Sequence, residues 1–307
     1  MTGVIMVALD GLRPDMVDPV ATPHLHALGM AGARFSRARS VFPSETRVAT
    51  PSLITGCRPG GHGLVANTLF DASVAPDRLI RTKLVEDVLT LAAGAESPLQ
   101  RASLAERLAP HGMSFALVSA GTAGAARLLH PAAERLGAFR WNVEDTEGET
   151  AQRVVAALGE TPPAAVPNIA RVEFAGRVLL EHVLPQIKPD VALLWLSEPD
   201  VSFHWGGLRA EHTQRALKSA DAVLGQIMTW RDAQPDAQEI AIIVLSDHGH
   251  VTGRGKKCLR SELQRVGFRA GTGMAPDVDI VVAPAAAPGL WLRDPSLASQ
   301  VADFLAS

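Results

Sequence analysis

Tyrosine is missing altogether from these 307 residues, and cysteine nearly so. The two thiols, Cys57 and Cys258, cannot build a disulfide framework and have no metal-ligand spacing, so they read as free. Long apolar runs are missing too: none exceeds about 8 residues, far short of the ~20 that cross a bilayer. Met1-Thr2-Gly3 leads directly into strand-like sequence with no charged leader or cleavage site, which predicts a cytoplasmic protein without a membrane partner. Nor does one sign of charge dominate. A formal net charge of −3 carries no electrostatic footprint for a nucleic-acid polymer. What is left is an ordinary globular composition, 47% hydrophobic, of a length that suits one large α/β domain or two small ones. Nothing in it signals an oligomeric state.

Short apolar runs at 4–9, 114–119, 191–196 and 240–246, rich in Val, Ile and Leu and bounded by turn residues, predict buried parallel strands. Helical patterns lie between them. One starts at Pro23 behind the cap residue Thr22, and a longer one from Ala210 to Trp230 carries Leu217, Ala220, Val223, Leu224 and Ile227 on one stripe. The βαβ alternation predicts a single α/β domain over 1–307, a doubly wound, mostly parallel sheet with helices on both faces. Residues 121–170, rich in Ala, Gly and Pro, stand out as a cap or insertion region, with Thr161-Pro162-Pro163 as an internal break. Pro295 to Leu305 reads as an amphipathic helix that meets the end of the chain without a glycine cap, so a C-terminal truncation is expected.

The chemistry-bearing residues sit where the apolar runs stop. Asp10 follows the first, Asp200 and His204 the third, and Asp247-His248 the fourth. In an open parallel sheet every strand's carboxyl end opens onto one edge, so these distant residues can converge there. Oxygen and nitrogen donors without thiolate suit zinc or manganese. Asp247 and His248 can grip one ion from two sides while Gly249 lets the backbone turn beneath them, although a capped turn with a solvated imidazole uses the same residues. Asp200 and His204 share a face if Pro199 opens a helical turn; a salt bridge or a cap is the alternative. Asp10-Gly11 taken alone is a common turn.

A fourth segment supplies something for a metal to act with. Val41 to Gly56 is a loop rich in hydroxyls (Ser44, Thr46, Thr50) that runs into an apolar helix, followed by Pro59-Gly60-Gly61-His62-Gly63 and Asn67. A hydroxyl at a helix N-terminus faces orphan N–H groups and the positive dipole end, which favour an anion such as phosphate. Bound to a metal, such a hydroxyl becomes a nucleophile near neutral pH, whereas simple N-capping would leave it inert.

Taken in order, Asp10-Gly11-Leu12-Arg13, Thr22-Pro23-His24-Leu25, Phe42-Pro43-Ser44-Glu45-Thr46, Thr55-Gly56 with Pro59 and His62-Gly63, Asn67, Glu198-Pro199-Asp200 with His204, and Ser246-Asp247-His248-Gly249 resemble the alkaline phosphatase superfamily. The closest match is its type I phosphodiesterase/nucleotide pyrophosphatase branch, and the resemblance spans residue 3 to about 250. It implies an alkaline phosphatase-like fold and a metal-dependent phosphoric ester hydrolase with two divalent ions, zinc or else manganese. Thr46 matches the nucleophile, and Asp10, Thr46, Asp247 and His248 match the ligands of the metal that activates it. Asp200 and His204 match two ligands of a second metal, and Asn67 matches an amide that holds a phosphoryl oxygen. The implied reaction on a small phosphate ester is in-line attack by Thr46, a phosphothreonine intermediate, and its hydrolysis by water.

Two departures qualify the resemblance. The family takes a third protein ligand for the second metal from a C-terminal His-Gly motif, yet no histidine follows His250. His62 belongs to the structural turn, His212 to a helix, and His250 lies only two residues from a ligand already used. The expectation is therefore a chain that holds the first ion well and the second poorly, with low activity. Nucleotide-cleaving relatives also clamp the base between an aromatic residue after the nucleophile and a tyrosine; here Arg47 follows Thr46 and tyrosine is absent. Arg47 would instead contact a carboxylate or a second phosphate, or stay solvated. Phosphonoacetate-hydrolase-like and phosphomonoesterase activities are the enzymatic alternatives, and a non-catalytic metal- or anion-binding relative is the alternative from another class.

Overall fold

The computed structural model describes residues 3–93 and 95–307. Its strands, in chain order, are β1 Val4–Leu9, β2 Thr68–Leu69, β3 Ile80–Arg81, β4 Phe115–Ser119, β5 Arg140–Asn142, β6 Val191–Leu196, β7 Ala241–Leu245, β8 Ala270–Gly271, β9 Ile280–Ala283 and β10 Gly289–Leu292. Five of them form the main sheet in the order β5-β4-β6-β1-β7, and every neighbouring pair is parallel. The sheet matches the expected doubly wound architecture. β1 shows why: with a side-chain period of two, Ile5, Val7 and Leu9 enter one core and Ala8, flanked by Val4 and Met6, enters the other.

Helices Pro23–Ala31, Ile169–Arg177 and Glu211–Asp232 cover the first face, where Leu25, Val172, Phe174, Leu217 and Leu224 pack on the strands. On the second, Ile54 of helix Thr46–Thr55 and Leu128 and Leu129 of helix Ala123–Leu129 meet Leu117, Leu193 and Trp195. The stripe foreseen between Ala210 and Trp230 is the buried face of the Glu211–Asp232 helix. Its Asp221, 2% exposed, accepts the N–H groups of His24 at 3.1 Å and Leu25 at 2.8 Å. A neighbouring helix thus caps Pro23–Ala31, in place of Thr22, whose hydroxyl instead accepts the Asp18 N–H at 3.0 Å. Tertiary context outranks the local cap signal here.

One further reading changes. The run at 240–246 forms a strand, but among the described residues an edge one: β7 pairs only with β1, and Ile243 is 46% exposed. Residues 121–170 supply β5, at the opposite edge of the main sheet, together with helices Ala123–Leu129 and Glu149–Leu158. Beyond β7, β8 to β10 make a small sheet in the order β10-β9-β8, on which helix Ala298–Ala306 packs through Val301 and Phe304. Among the described residues no helix is long and apolar enough to cross a membrane.

Candidate metal centre

Parallel pairing delivers the carboxyl ends of β1, β6 and β7 to one edge, and the backbone then locks their extensions together. The Asp10 N–H donates to Leu196 O at 3.0 Å, and the Asp200 N–H donates to Asp10 O at 3.0 Å. Beyond β6, the buried Glu198 accepts the Ser202 N–H at 3.0 Å and the Asn168 N–H at 2.7 Å, which fixes the start of helix Asp200–Gly206. One turn along that helix, His204 Nε2 stands 3.5 Å from Asp200 Oδ1, so the pair does share a face. Beyond β7, the Gly11 N–H donates to Asp247 Oδ1 at 3.2 Å, and Gly11 takes a φ of +74° that a side chain would strain.

Two ligand groups result. Asp10, Asp247 and His248 form the inner one, and Asp200, His204 and His250 the outer one. In the inner group, His248 Nε2 lies 3.5 Å from Asp10 Oδ1 and 3.4 Å from Asp247 Oδ2. Two ligands of one tetrahedral zinc, at bonds of ~2.0–2.1 Å, stand about 3.4 Å apart, so these spacings suit one ion. His248 Nδ1 is 3.3 Å from Gly249 O, and a carbonyl can only accept. With its proton on Nδ1, the ring would leave Nε2 free to meet an ion between the two carboxylates.

The electrostatics point the same way. Asp10 Oδ1 and Asp247 Oδ2 are buried without a hydrogen-bond partner. Burial, then the charges of Asp247 and Asp200, push the Asp10 carboxyl well above its ordinary value of 3.8, against a hydrogen bond from Trp195 Nε1. Clustered carboxylates that repel each other and lack donors are what a divalent cation satisfies. The residues of the inner group therefore fit such an ion. Asp200 differs: burial raises it, but the hydrogen bond to His250 and the nearness of His204 and His248 outweigh that and hold it below 3.8.

Thr46 opens helix Thr46–Thr55, with Glu45 as its N-cap residue. Its Oγ1 is 3.1 Å from His248 Nε2, at the positive end of the helix. Asn67 Oδ1 accepts the Arg47 N–H at 2.8 Å, and its own N–H donates to Glu45 Oε2 at 2.8 Å, so Asn67 is tied to that helix start with its amide NH2 left as a donor. Arg47 is half-buried rather than solvated, and its Nε has no partner. Burial lowers its pKa, while Asp10, Glu45, Asp200 and Asp247 favour the charged form. A cleft of about 410 Å³ opens beside these residues, lined by Thr46, Arg47 and Asp200 and walled by Glu144, Arg171 and Trp205.

Against known families, the model for type I phosphodiesterase / nucleotide pyrophosphatase matches residues 4–266. The chain belongs to this family. Among curated relatives, human ectonucleotide pyrophosphatase/phosphodiesterase family member 5 is 37% identical over 68 residues, 22% of this chain and 14% of the human protein. A venom phosphodiesterase of Macrovipera lebetinus is 22% identical over 249 residues, 80% of this chain and 25% of the venom protein. Each alignment thus spans a quarter or less of the relative's length. Among solved structures, an inactive threonine-to-alanine variant of murine ectonucleotide pyrophosphatase/phosphodiesterase 5 with AMP superposes at a TM-score of 0.64 and 18% identity, covering 99% of this chain and 69% of that one. Phosphonoacetate hydrolase from Sinorhizobium meliloti 1021, with phosphonoformate, superposes at 0.69 and 19%, covering 99% and 72%. At such identities the likeness establishes a shared alkaline phosphatase-like fold.

In this phosphodiesterase-family chain the structure brings all of Asp10, Thr46, Asp200, His204, Asp247 and His248 to one sheet edge, with Asn67 and Arg47 beside them. Two residues escaped the sequence reading. His250 lies only two residues from His248, yet its Nε2 meets Asp200 Oδ1 at 2.5 Å. Trp205 is 76% exposed and lines the cleft, an aromatic surface that attention to tyrosine overlooked. His62 and His212 are engaged elsewhere. Buried His62 accepts the Leu64 N–H at Nδ1, at 3.2 Å, and meets Ser52 Oγ at 2.8 Å, while His212 Nε2 is 3.3 Å from Ser202 O.

Proposed function

We propose that the chain is a metal-dependent phosphodiester hydrolase of nucleotide pyrophosphatase type, with Thr46 as nucleophile. The observation that carries this reading is Thr46 Oγ1 at a helix N-terminus, 3.1 Å from His248 Nε2 and beside carboxylate oxygens that lack a partner. Asp10, Thr46, Asp247 and His248 would hold one divalent ion, zinc or manganese, and Asp200 and His204 a second; when bound, these would supply Lewis-acid charge toward the Thr46 hydroxyl and the phosphoryl group. Thr46 Oγ1 attacks phosphorus, the bond to the leaving alcohol breaks in line, and the resulting phosphothreonine is hydrolysed by water. Asn67 donates its amide to a non-bridging oxygen, and the helix N-terminus favours the phosphoryl charge. Trp205 offers a stacking face for an aromatic group on the substrate, worth ~1–3 kcal/mol for a base. The inactivity of the murine threonine-to-alanine variant and its AMP ligand agree with such chemistry in the family.

One observation favours a second reading. The unpaired Nε of Arg47 faces a need for an anion, which a substrate with a carboxylate or second phosphate next to phosphorus would meet, as in the phosphonate bound by the bacterial neighbour. Zinc-loaded protein assayed in parallel on an aryl phosphodiester, an aryl phosphomonoester and phosphonoacetate separates these readings. We expect the diester to react fastest and acid quenching to trap on Thr46 a phosphoryl group that still bears the second ester substituent, read by mass spectrometry. Faster cleavage of phosphonoacetate would select the second reading, and a metal-loaded protein inert on all three would be a binding relative.

A further inference from the structure

We propose that His250 is the third protein ligand of the ion held by Asp200 and His204, so that the chain carries a complete second metal site of its own. This rests on the two-ion reading above, which places only Asp200 and His204 on that ion.

His250 Nε2 lies 2.5 Å from Asp200 Oδ1, and His204 Nε2 lies 3.5 Å from the same oxygen. One carboxylate oxygen therefore has an imidazole nitrogen on each of two sides, and the three ligand atoms fall within 4.8 Å of one another. The donor set, two imidazoles and a carboxylate, is that of a zinc site with a position open for substrate. The ring is held in place from several directions. Phe203 packs on it at 5.0 Å between centroids, and His204 stands edge-on at 4.8 Å. Gly11 closes the other side, where a Cβ would come within 3.1 Å of His250 Cδ2. The backbone is anchored too: Arg13 Nη1 donates to His250 O at 2.8 Å, while Arg13 Nε and Nη2 are clamped on Asp15, each at 2.9 Å.

The loop explains how residues two apart serve different ions. Ser246 Oγ donates to His248 O at 2.7 Å and Ser40 Oγ donates to Asp247 O at 2.5 Å, which fixes the turn after β7. On either side of Gly249 the two rings have different partners: His248 meets Asp10 and Asp247 while His250 meets Asp200. The two imidazoles stay neighbours, with centroids 5.4 Å apart.

The bland alternative is a histidine that merely pairs with Asp200. His250→Gln separates the two, because glutamine can still donate to the carboxylate but is a poor zinc ligand. Chelator-stripped protein of residues 1–307 is reloaded with zinc, dialysed and measured for zinc per chain, with Asp247→Asn as the inner-site control. Two ions in the wild type and one in each variant is the expected result; the ion retained by His250→Gln also certifies its fold. Loss of an outer hydrogen-bond partner lowers metal affinity only about 10–100-fold, so a variant that still loads two ions overturns the proposal. A second measurement needs no variant: X-ray absorption of the zinc-loaded wild type should find three imidazoles, from His204, His248 and His250, shared between two ions rather than two. Two imidazoles, or a wild type that holds a single ion unchanged by His250→Gln, would likewise overturn it. A wild type that holds no ion would instead bring down the two-ion reading on which it rests.

Discussion

The inner and outer ligand groups are adjacent, with His248 Nε2 only 3.9 Å from Asp200 Oδ1, yet they are built on different principles. In the inner group no side chain is more than 8% exposed, and two of its carboxylate oxygens have no partner. In the outer group His204 is 66% exposed, and Asp200 is satisfied by an imidazole. Burying unpaired carboxylates is costly, and the cost falls on the metal-free protein. The inner group is therefore a strained site that a cation relaxes, and the outer group is a relaxed one that a cation must compete for. Thr46 contacts the strained group, so the proposed nucleophile sits where the demand for positive charge is greatest.

The largest test of this contrast is Thr46→Ala, which should lower kcat on an aryl phosphodiester by about 10⁴-fold or more while zinc content stays unchanged. A variant that keeps its rate would detach the nucleophile from the inner group. Next, Asp247→Asn should reduce kcat/KM by roughly 10²–10³-fold, more than His204→Ala does, because it removes a buried oxygen rather than an exposed ring. Equal losses in steady-state kinetics would erase the distinction between the groups. Arg47→Ala should raise KM for substrates with a second anionic group by about ten- to a hundredfold, the ~1.5–3 kcal/mol of a charged hydrogen bond, and leave aryl monoanions nearly unchanged.

The smallest effect is on stability of the chelated protein. Asp10 has a raised pKa in the fold, so its contribution favours the folded state at low pH and is lost as pH climbs from about 3.8 through the raised value. Asp200 has the opposite sign: its contribution is present above 3.8 and fades as pH falls through its lowered pKa. Denaturant titrations in chelator should show the first slope flattened in Asp10→Asn and the second unaffected. Adding zinc to the wild type should raise the unfolding free energy by about 2.7 kcal/mol per occupied site at a hundredfold excess over Kd.

Much of this was legible beforehand for a topological reason. Asp10, Asp200 and Asp247 each follow an apolar run, and parallel pairing of β1, β6 and β7 leaves them no other edge to occupy. What was less legible depends on neighbours. β5 is three residues long and carries Arg140, and its place is secured by Asn142 Nδ2 donating to Ser119 O at 3.2 Å, a contact no local pattern predicts. The half-exposure of β7 follows from having one partner, which its Ile and Val content cannot reveal. His250 is less legible because its partner, Asp200, lies 50 residues away in sequence, and no local pattern shows that the two meet at 2.5 Å.

The cleft has one more consequence. Gly121, Thr122, Glu144, Val166, Arg171 and Trp205 help to wall it, and none belongs to either ligand group. They lie in the loops after β4 and β5, in the stretch ahead of helix Ile169–Arg177, and within that helix and the one that bears His204. If the proposed chemistry holds, mutation at these positions would reshape what the protein accepts while the residues assigned to bond breaking stay as they are. Substrate range and chemical step would then be separately heritable, and a library confined to those wall positions would explore new esters without dismantling the centre.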